Sequence, residues 1–330
     1  MKWPESIIDT PHGRQKAVAP LVISASRATD IPAFHSAWFM NRLRAGYCVW
    51  ENPFNTTQRQ WITFEHCRAF VFWSKNPAPM MRHLPEIAAS GREFYFQYTL
   101  NDYEGTGLEP NLPQIERRVE TFRRLSELVG KKRVIWRFDP IILGGGLTVE
   151  NTLSRLHRLA EKLSPYTEKL VFSFVDWYRK TARELGRLDP DFRPPTLAEM
   201  QALAQGIVKI SRALPVPLKL ATCAETLDLH SLGIEHNRCV DPELLHRLCP
   251  DCEAFERWTR RKEDRQLSLL SVIPASTKDS GQRSGCGCAP SKDIGSYNTC
   301  RHFCAYCYAN NSPKSVLTKL ASISAEDEKL

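Results

Sequence analysis

Apolar residues in this chain fall into short runs rich in β-branched and aromatic side chains, separated by longer stretches of helical period. The runs lie at Leu21–Ser26, Tyr47–Glu51, Ala69–Trp73, Phe94–Leu100, Arg133–Phe138, Lys169–Val175 and Pro217–Thr222. Between them, apolar positions three and four apart predict helices near 33–45, 78–90, 113–129, 148–163 and 196–213. Within 113–129, Ile115, Val119, Phe122, Leu125 and Val129 repeat along one helical face. Thr148 stands where a helix cap is needed, with Asn151 three residues on in place of the preferred Glu.

Strand and helix in repeated alternation predict an α/β fold. The reading adopted is a (β/α) TIM-type barrel, full or partial, over residues 1–261, with Asp293–Tyr297 as a candidate eighth strand. Several runs end abruptly in polar residues: Ser26–Asp30, Asn52–Asn55, Trp73–Asn76, Arg137–Asp139, Val175–Asp176 and Cys223–Glu225. Any one is explained by a polar turn, but together they match the chemistry-bearing mouth of a barrel.

Composition narrows the class. A hydrophobic fraction of 42% and a charged fraction of 25% are those of a globular protein with ample core. The net charge of +8 suits an anionic substrate or a nucleic acid, although an ordinary basic surface accounts for it first. The start, MKWPESIIDT, lacks a signal-peptide stretch, and no run of about 18 apolar residues occurs. A cytoplasmic protein without a membrane segment is expected. Eleven cysteines, an odd number, then argue for metal binding or reactivity over a disulfide framework. Only Cys48 and Cys67 precede residue 222, whereas five fall between 286 and 307. The expected organisation is a polar connector at 262–284, a cysteine-rich segment at 285–312 and a flexible tail at 313–330.

Cys300, Cys304 and Cys307 form C-x3-C-x2-C. Three thiolates at these offsets fit a loop around three irons of a [4Fe–4S] cubane, leaving the fourth iron open to chelate a small molecule. Structural zinc prefers four protein ligands, and a ferredoxin cluster supplies a fourth cysteine. The motif, with Tyr306 before its last cysteine and Tyr308 after it, resembles the cluster motif of the radical S-adenosylmethionine superfamily. The resemblance implies one-electron cleavage of the sulfonium to methionine and a 5′-deoxyadenosyl radical. It also implies a flavodoxin- or ferredoxin-type reductant, and Tyr306 against the adenine. That superfamily usually carries the motif near its N-terminus. The chain as a whole resembles a bacterial group of unknown function marked by three features present here: Ser26–Pro32, Phe72–Pro77 and Cys286–Cys307. The arrangement reads as a circular permutation, with Ser26, Arg27, Thr29 and Asp30 assigned to S-adenosylmethionine.

The remaining cysteines suggest a second metal site, an auxiliary [4Fe–4S] cluster or a zinc, on Cys223, Cys239, Cys286 and Cys288. Cys249 and Cys252 form a competing pair, and unliganded thiols are the alternative to both. Arg137 and Asp139 are expected to alternate into and out of the barrel, an inward pair being suited to ribose, carboxylate or substrate. An ordinary buried ion pair would look the same. Lys75 is suited to an anionic group, and Asp176 and Glu225 to acid–base or hydroxyl-binding roles, against solvated-loop and capping readings. His302 and Phe303 are expected to shield the cluster. Two rivals stand beside the radical enzyme: a zinc-stabilised nucleic-acid-binding protein and a non-catalytic iron–sulfur electron carrier.

Overall fold

The computed structural model describes residues 3–223, 225–259 and 286–330. The expected connector at 262–284 lies outside them. Among the described residues twelve strands form two sheets: β1 Glu5–Thr10, β2 Gly13–Val18, β3 Val22–Ala25, β4 Tyr47–Asn52, β5 Asn55–Thr63, β6 Ala69–Ser74, β7 Glu93–Thr99, β8 Val134–Ile141, β9 Lys169–Phe174, β10 Lys219–Thr222, β11 Glu235–His236 and β12 Lys292–Asp293. The larger sheet has the order β11-β10-β9-β8-β7-β6-β3-β12, with every neighbouring pair parallel.

This sheet is open. Its edge strands β11 and β12 do not pair with each other, so the expected TIM-type barrel, full or partial, is not what forms. Two physical reasons are visible. First, β4, counted from sequence as a barrel strand, turns back through Pro53 and Phe54 into β5, and so short a link permits only antiparallel pairing. The hairpin joins β1 and β2 in a separate four-stranded sheet of order β1-β2-β5-β4. Second, the face that a barrel would enclose is already filled. Val22, Ala69, Val71, Tyr95, Ile135 and Val171 pack there against Val240, Leu244, Leu245, Leu248, Phe255 and Trp258, from a segment containing the helices Pro242–Leu248 and Glu253–Thr259.

The other face carries Phe70, Phe72, Phe96, Phe138 and Phe172, alternate positions on their strands. Against it lie Trp38 and Phe39, Phe122 and Leu125, Leu156 and Leu159, and Leu203 and Ile207, from helices Ser36–Ala45, Ile115–Val129, Val149–Leu163 and Leu197–Ala213. These helices follow the apolar periodicity. Thr148 caps its helix as expected, its hydroxyl accepting from the Asn151 amide at 3.1 Å. Thr196 and Glu199 form a full capping box.

Helix Pro313–Leu320 leads into a segment whose carbonyls accept from Trp38 Nε1, Asn41 Nδ2, Arg42 Nη2 and the Val49 amide, and Leu330 is buried. Among the described residues no helix is long and apolar enough to cross a membrane.

Candidate functional site

The carboxyl ends of the parallel strands surround a cavity of about 520 Å³. Ser26, Arg27, Thr29 and Asp30 enter it after β3, Lys75 after β6, Arg137 and Asp139 from β8, Asp176 after β9, and Cys223 and Glu225 after β10. Cys239, Cys286 and Cys288 line it, as do Cys300, Cys304, Tyr306 and Cys307. An open α/β sheet places ligands at this end of its strands, so the polar strand ends meet here without barrel closure.

β12 brings the cysteine loop to the sheet. Its pairing covers Lys292 and Asp293 beside Ile23 and Ser24, shorter and earlier than the expected Asp293–Tyr297. Asp293 fastens the junction: its carboxylate accepts from Ser24 Oγ at 2.9 Å, the Arg27 amide at 2.8 Å and the Gly295 amide at 2.9 Å. A Cβ on Gly295 would stand 1.9 Å from Ser26 Oγ, so only glycine lets the two segments meet this closely.

Asp30 is a hub. One oxygen accepts from Ser74 Oγ at 2.7 Å and the Ala33 amide at 2.9 Å; the other accepts from the Lys75 amide at 2.7 Å and His302 Nε2 at 2.8 Å. With both oxygens engaged, Asp30 ties two strand ends to the cysteine loop. His302 packs on Phe34, ring centroids 4.6 Å apart, and is buried. The loop is further held by Ala305 N to Leu108 O at 3.0 Å, Asn310 Nδ2 to Cys300 O at 2.8 Å and Lys180 Nζ to Cys307 O at 2.7 Å. Phe303 adopts the left-handed backbone at φ 54°, rare for an aromatic, at the bend between the first two cysteines.

Lys75 meets Glu109 at 2.8 Å and Tyr306 Oη at 2.9 Å, and Tyr306 Oη also donates to Glu109. Glu109, 3% exposed, also faces Arg118 at 3.4 Å. Burial pushes its carboxyl up, but the Lys75 and Arg118 charges outweigh that and hold it below the usual range. No sequence signal marks Glu109. It sits in the loop between β7 and the helix Ile115–Val129, where no periodicity exists to read.

Arg137 and Asp139 share one strand face, since residues two apart on a strand point the same way; they do not alternate inward and outward. They pair directly, Arg137 Nε reaching Asp139 Oδ2 at 3.0 Å, and Ser173 Oγ donates to the same carboxylate. The Arg137 guanidinium lies 5.4 Å from the Trp73 ring and that of Arg27 lies 4.9 Å from it. Glu225 Oε1 accepts from the Phe174 amide at 2.8 Å.

The seven cysteines at the cavity form two sets. Cys300, Cys304 and Cys307 share one loop. Burial pushes the Cys300 thiol up to about 12 and raises Cys304 well above its ordinary value despite the nearby Lys75 charge. Across the cavity, Cys223 Sγ and Cys239 Sγ are 3.4 Å apart. Cys288 accepts from the Cys239 amide at 3.1 Å, and a hydrogen bond from the Cys288 side chain lowers Cys286 to about 7. Cys249 and Cys252 do not line the cavity; Cys249 faces Glu93 and Arg68, at the amino ends of the strands.

Cys300, Cys304 and Cys307 are an all-thiol donor set, the type that holds an iron–sulfur cluster, and among the described residues no three His, Cys, Asp or Glu side chains converge where a single metal ion would sit. The wall beside them holds buried Thr29 Oγ1 and His302 Nδ1, each without a protein partner and so available to a bound group.

Fold and site together define an α/β protein with a polar, cysteine-walled cavity at the carboxyl edge of an open parallel sheet. The chain belongs to the family described as a domain of unknown function, DUF1848, whose model matches residues 22–309, from β3 through the cysteine loop. No curated protein and no solved structure matches it.

Proposed function

We propose that this protein is a radical S-adenosylmethionine enzyme holding a [4Fe–4S] cluster on Cys300, Cys304 and Cys307. The observation that carries the reading is the convergence of that three-cysteine loop with polar side chains from the ends of β3, β6, β8, β9 and β10 on one cavity. With S-adenosylmethionine bound, such a cluster supplies the electron that cleaves the sulfonium and releases a 5′-deoxyadenosyl radical.

The protein's own residues do the rest. Cys300, Cys304 and Cys307 would hold the cluster at the cavity wall, and the other four cavity cysteines lie in a set of their own. Tyr306 is fixed by Lys75 and Glu109, giving a rigid aromatic wall on which a flat base can rest. Thr29 offers a hydroxyl, and Arg137 with Asp139 offers paired charge for a ribose or a substrate carboxylate. Asp30 acts at one remove, aligning the strand ends and the loop. A low-potential flavodoxin- or ferredoxin-type protein would reduce the cluster.

The test is anaerobic reconstitution with iron and sulfide, reduction with dithionite, and chromatography for 5′-deoxyadenosine after adding S-adenosylmethionine. Release that disappears in Cys304→Ala supports the reading. A fully loaded cluster that leaves S-adenosylmethionine intact, or a lone zinc in that loop, overturns it.

A further inference from the structure

The four cysteines opposite the three-cysteine loop are built as ligands. We infer that Cys223, Cys239, Cys286 and Cys288 hold a second thiolate-bound metal centre, on the wall of the same cavity but independent of the first. The four sulfurs come from three distant places: the end of β10, the loop after β11, and the segment leading into β12. They nevertheless lie in succession, Cys223 beside Cys239, Cys239 beside Cys288, and Cys288 beside Cys286. All four are free thiols. At 3.4 Å, Cys223 and Cys239 stand much farther apart than the roughly 2.05 Å of a disulfide.

The surroundings suit sulfur that a bound metal has deprotonated. Cys239 Sγ receives Arg137 Nη1 at 3.1 Å and Asn237 Nδ2 at 3.2 Å. Cys288 Sγ receives the backbone amides of Cys239 at 3.1 Å and Val240 at 3.5 Å. A thiol is a weak acceptor, so four N–H groups aimed at two buried sulfurs are poorly used unless those sulfurs are thiolates. N–H donors to metal-bound sulfur are also how proteins tune such centres. Cys239 is held in place as well, because Tyr95 Oη and Gln97 Nε2 both donate to its carbonyl, at 2.7 and 2.8 Å. A residue restrained at both its carbonyl and its sulfur is preorganised to ligate. No three of these side chains already converge on one metal position, so the four sulfurs must close around the metal as it binds. With four protein ligands the centre is then coordinatively saturated, unlike the first.

The experiment uses the full chain with Cys300, Cys304 and Cys307 all changed to Ala, which removes the first site whatever that site does. After anaerobic iron and sulfide loading, and separately after growth with zinc, metal and acid-labile sulfide are measured per chain. Retention of about four irons and four sulfides, or of one zinc, supports the centre and names its metal. That metal should vanish when Cys223→Ala and Cys286→Ala are added, with the circular dichroism spectrum unchanged. A triple variant that binds no metal, retention that survives those two added changes, or four cysteines recovered as disulfides by mass, overturns the inference.

Discussion

Glu109→Gln keeps the side chain's shape and removes its charge. In the native protein that carboxylate is 3% exposed, with Lys75 Nζ at 2.8 Å and Arg118 Nη1 at 3.4 Å, these side chains being 16% and 2% exposed. The variant therefore leaves two cations facing a neutral amide where water scarcely reaches. Breaking a buried ion pair by removing one partner costs about 3–5 kcal/mol. Unfolding entropy of about 2.1 cal/mol/K per residue, over 330 residues, turns that cost into a fall in melting temperature of about 4–7 °C. The pH dependence follows from the depressed carboxyl. Its stabilising contribution is complete above the ordinary carboxylate value of 4.5 and is lost as pH falls through the lower folded value. The gap between wild type and variant should thus be widest near neutrality and should close in acid. Scanning calorimetry of both proteins at neutral pH and at successive acid steps measures it. A variant melting within about 1 °C of wild type at neutral pH, or a gap that persists unchanged in acid, refutes the account of a desolvated, doubly paired carboxylate.

Gly295→Ala drives a methyl group to 1.9 Å from Ser26 Oγ, and the overpacking should cost about 1–3 kcal/mol and reduce iron uptake by the cysteine loop. Unaltered melting and iron content would show that the two segments separate freely. Deleting residues 324–330 removes the acceptors of Trp38, Asn41, Arg42 and Val49. At about 0.5–1.5 kcal/mol net for each bond, a loss of about 2–6 kcal/mol is expected in thermal melts, and faster proteolysis near the helix Ser36–Ala45 should accompany it. Equal stability of the two forms would contradict a docked tail.

Much of the architecture was legible because burial writes a period into sequence. The helix over 115–129 and strands such as β6 and β7 carry apolar spacing that local sterics and a shared core enforce. What was lost lies where that link weakens. β5, Asn55–Thr63, is largely exposed and mostly polar, so nothing marked it as the partner that draws β4 out of the parallel sheet. Filling of the inner sheet face by the 240–258 segment is a tertiary event, and no local pattern encodes it. Of the candidate site, the thiols and strand-end charges that meet at the cavity stood out in the sequence because their types are unusual for their positions. Glu109, Ser173 and Asp293 were not, since each acts only through contacts with residues far away in sequence.

The bond between Ser24 and Asp293 spans 269 residues, and that between Asp30 and His302 spans 272. On a ribosome adding about 5–20 residues per second, β3 therefore waits on the order of tens of seconds before the strand that covers its edge exists. During that interval its backbone is open to pairing with another nascent chain. Docking of the cysteine loop on the sheet must then be a late event, after nearly the whole chain has emerged. Chains released early would carry most of the sheet but not the cysteine loop.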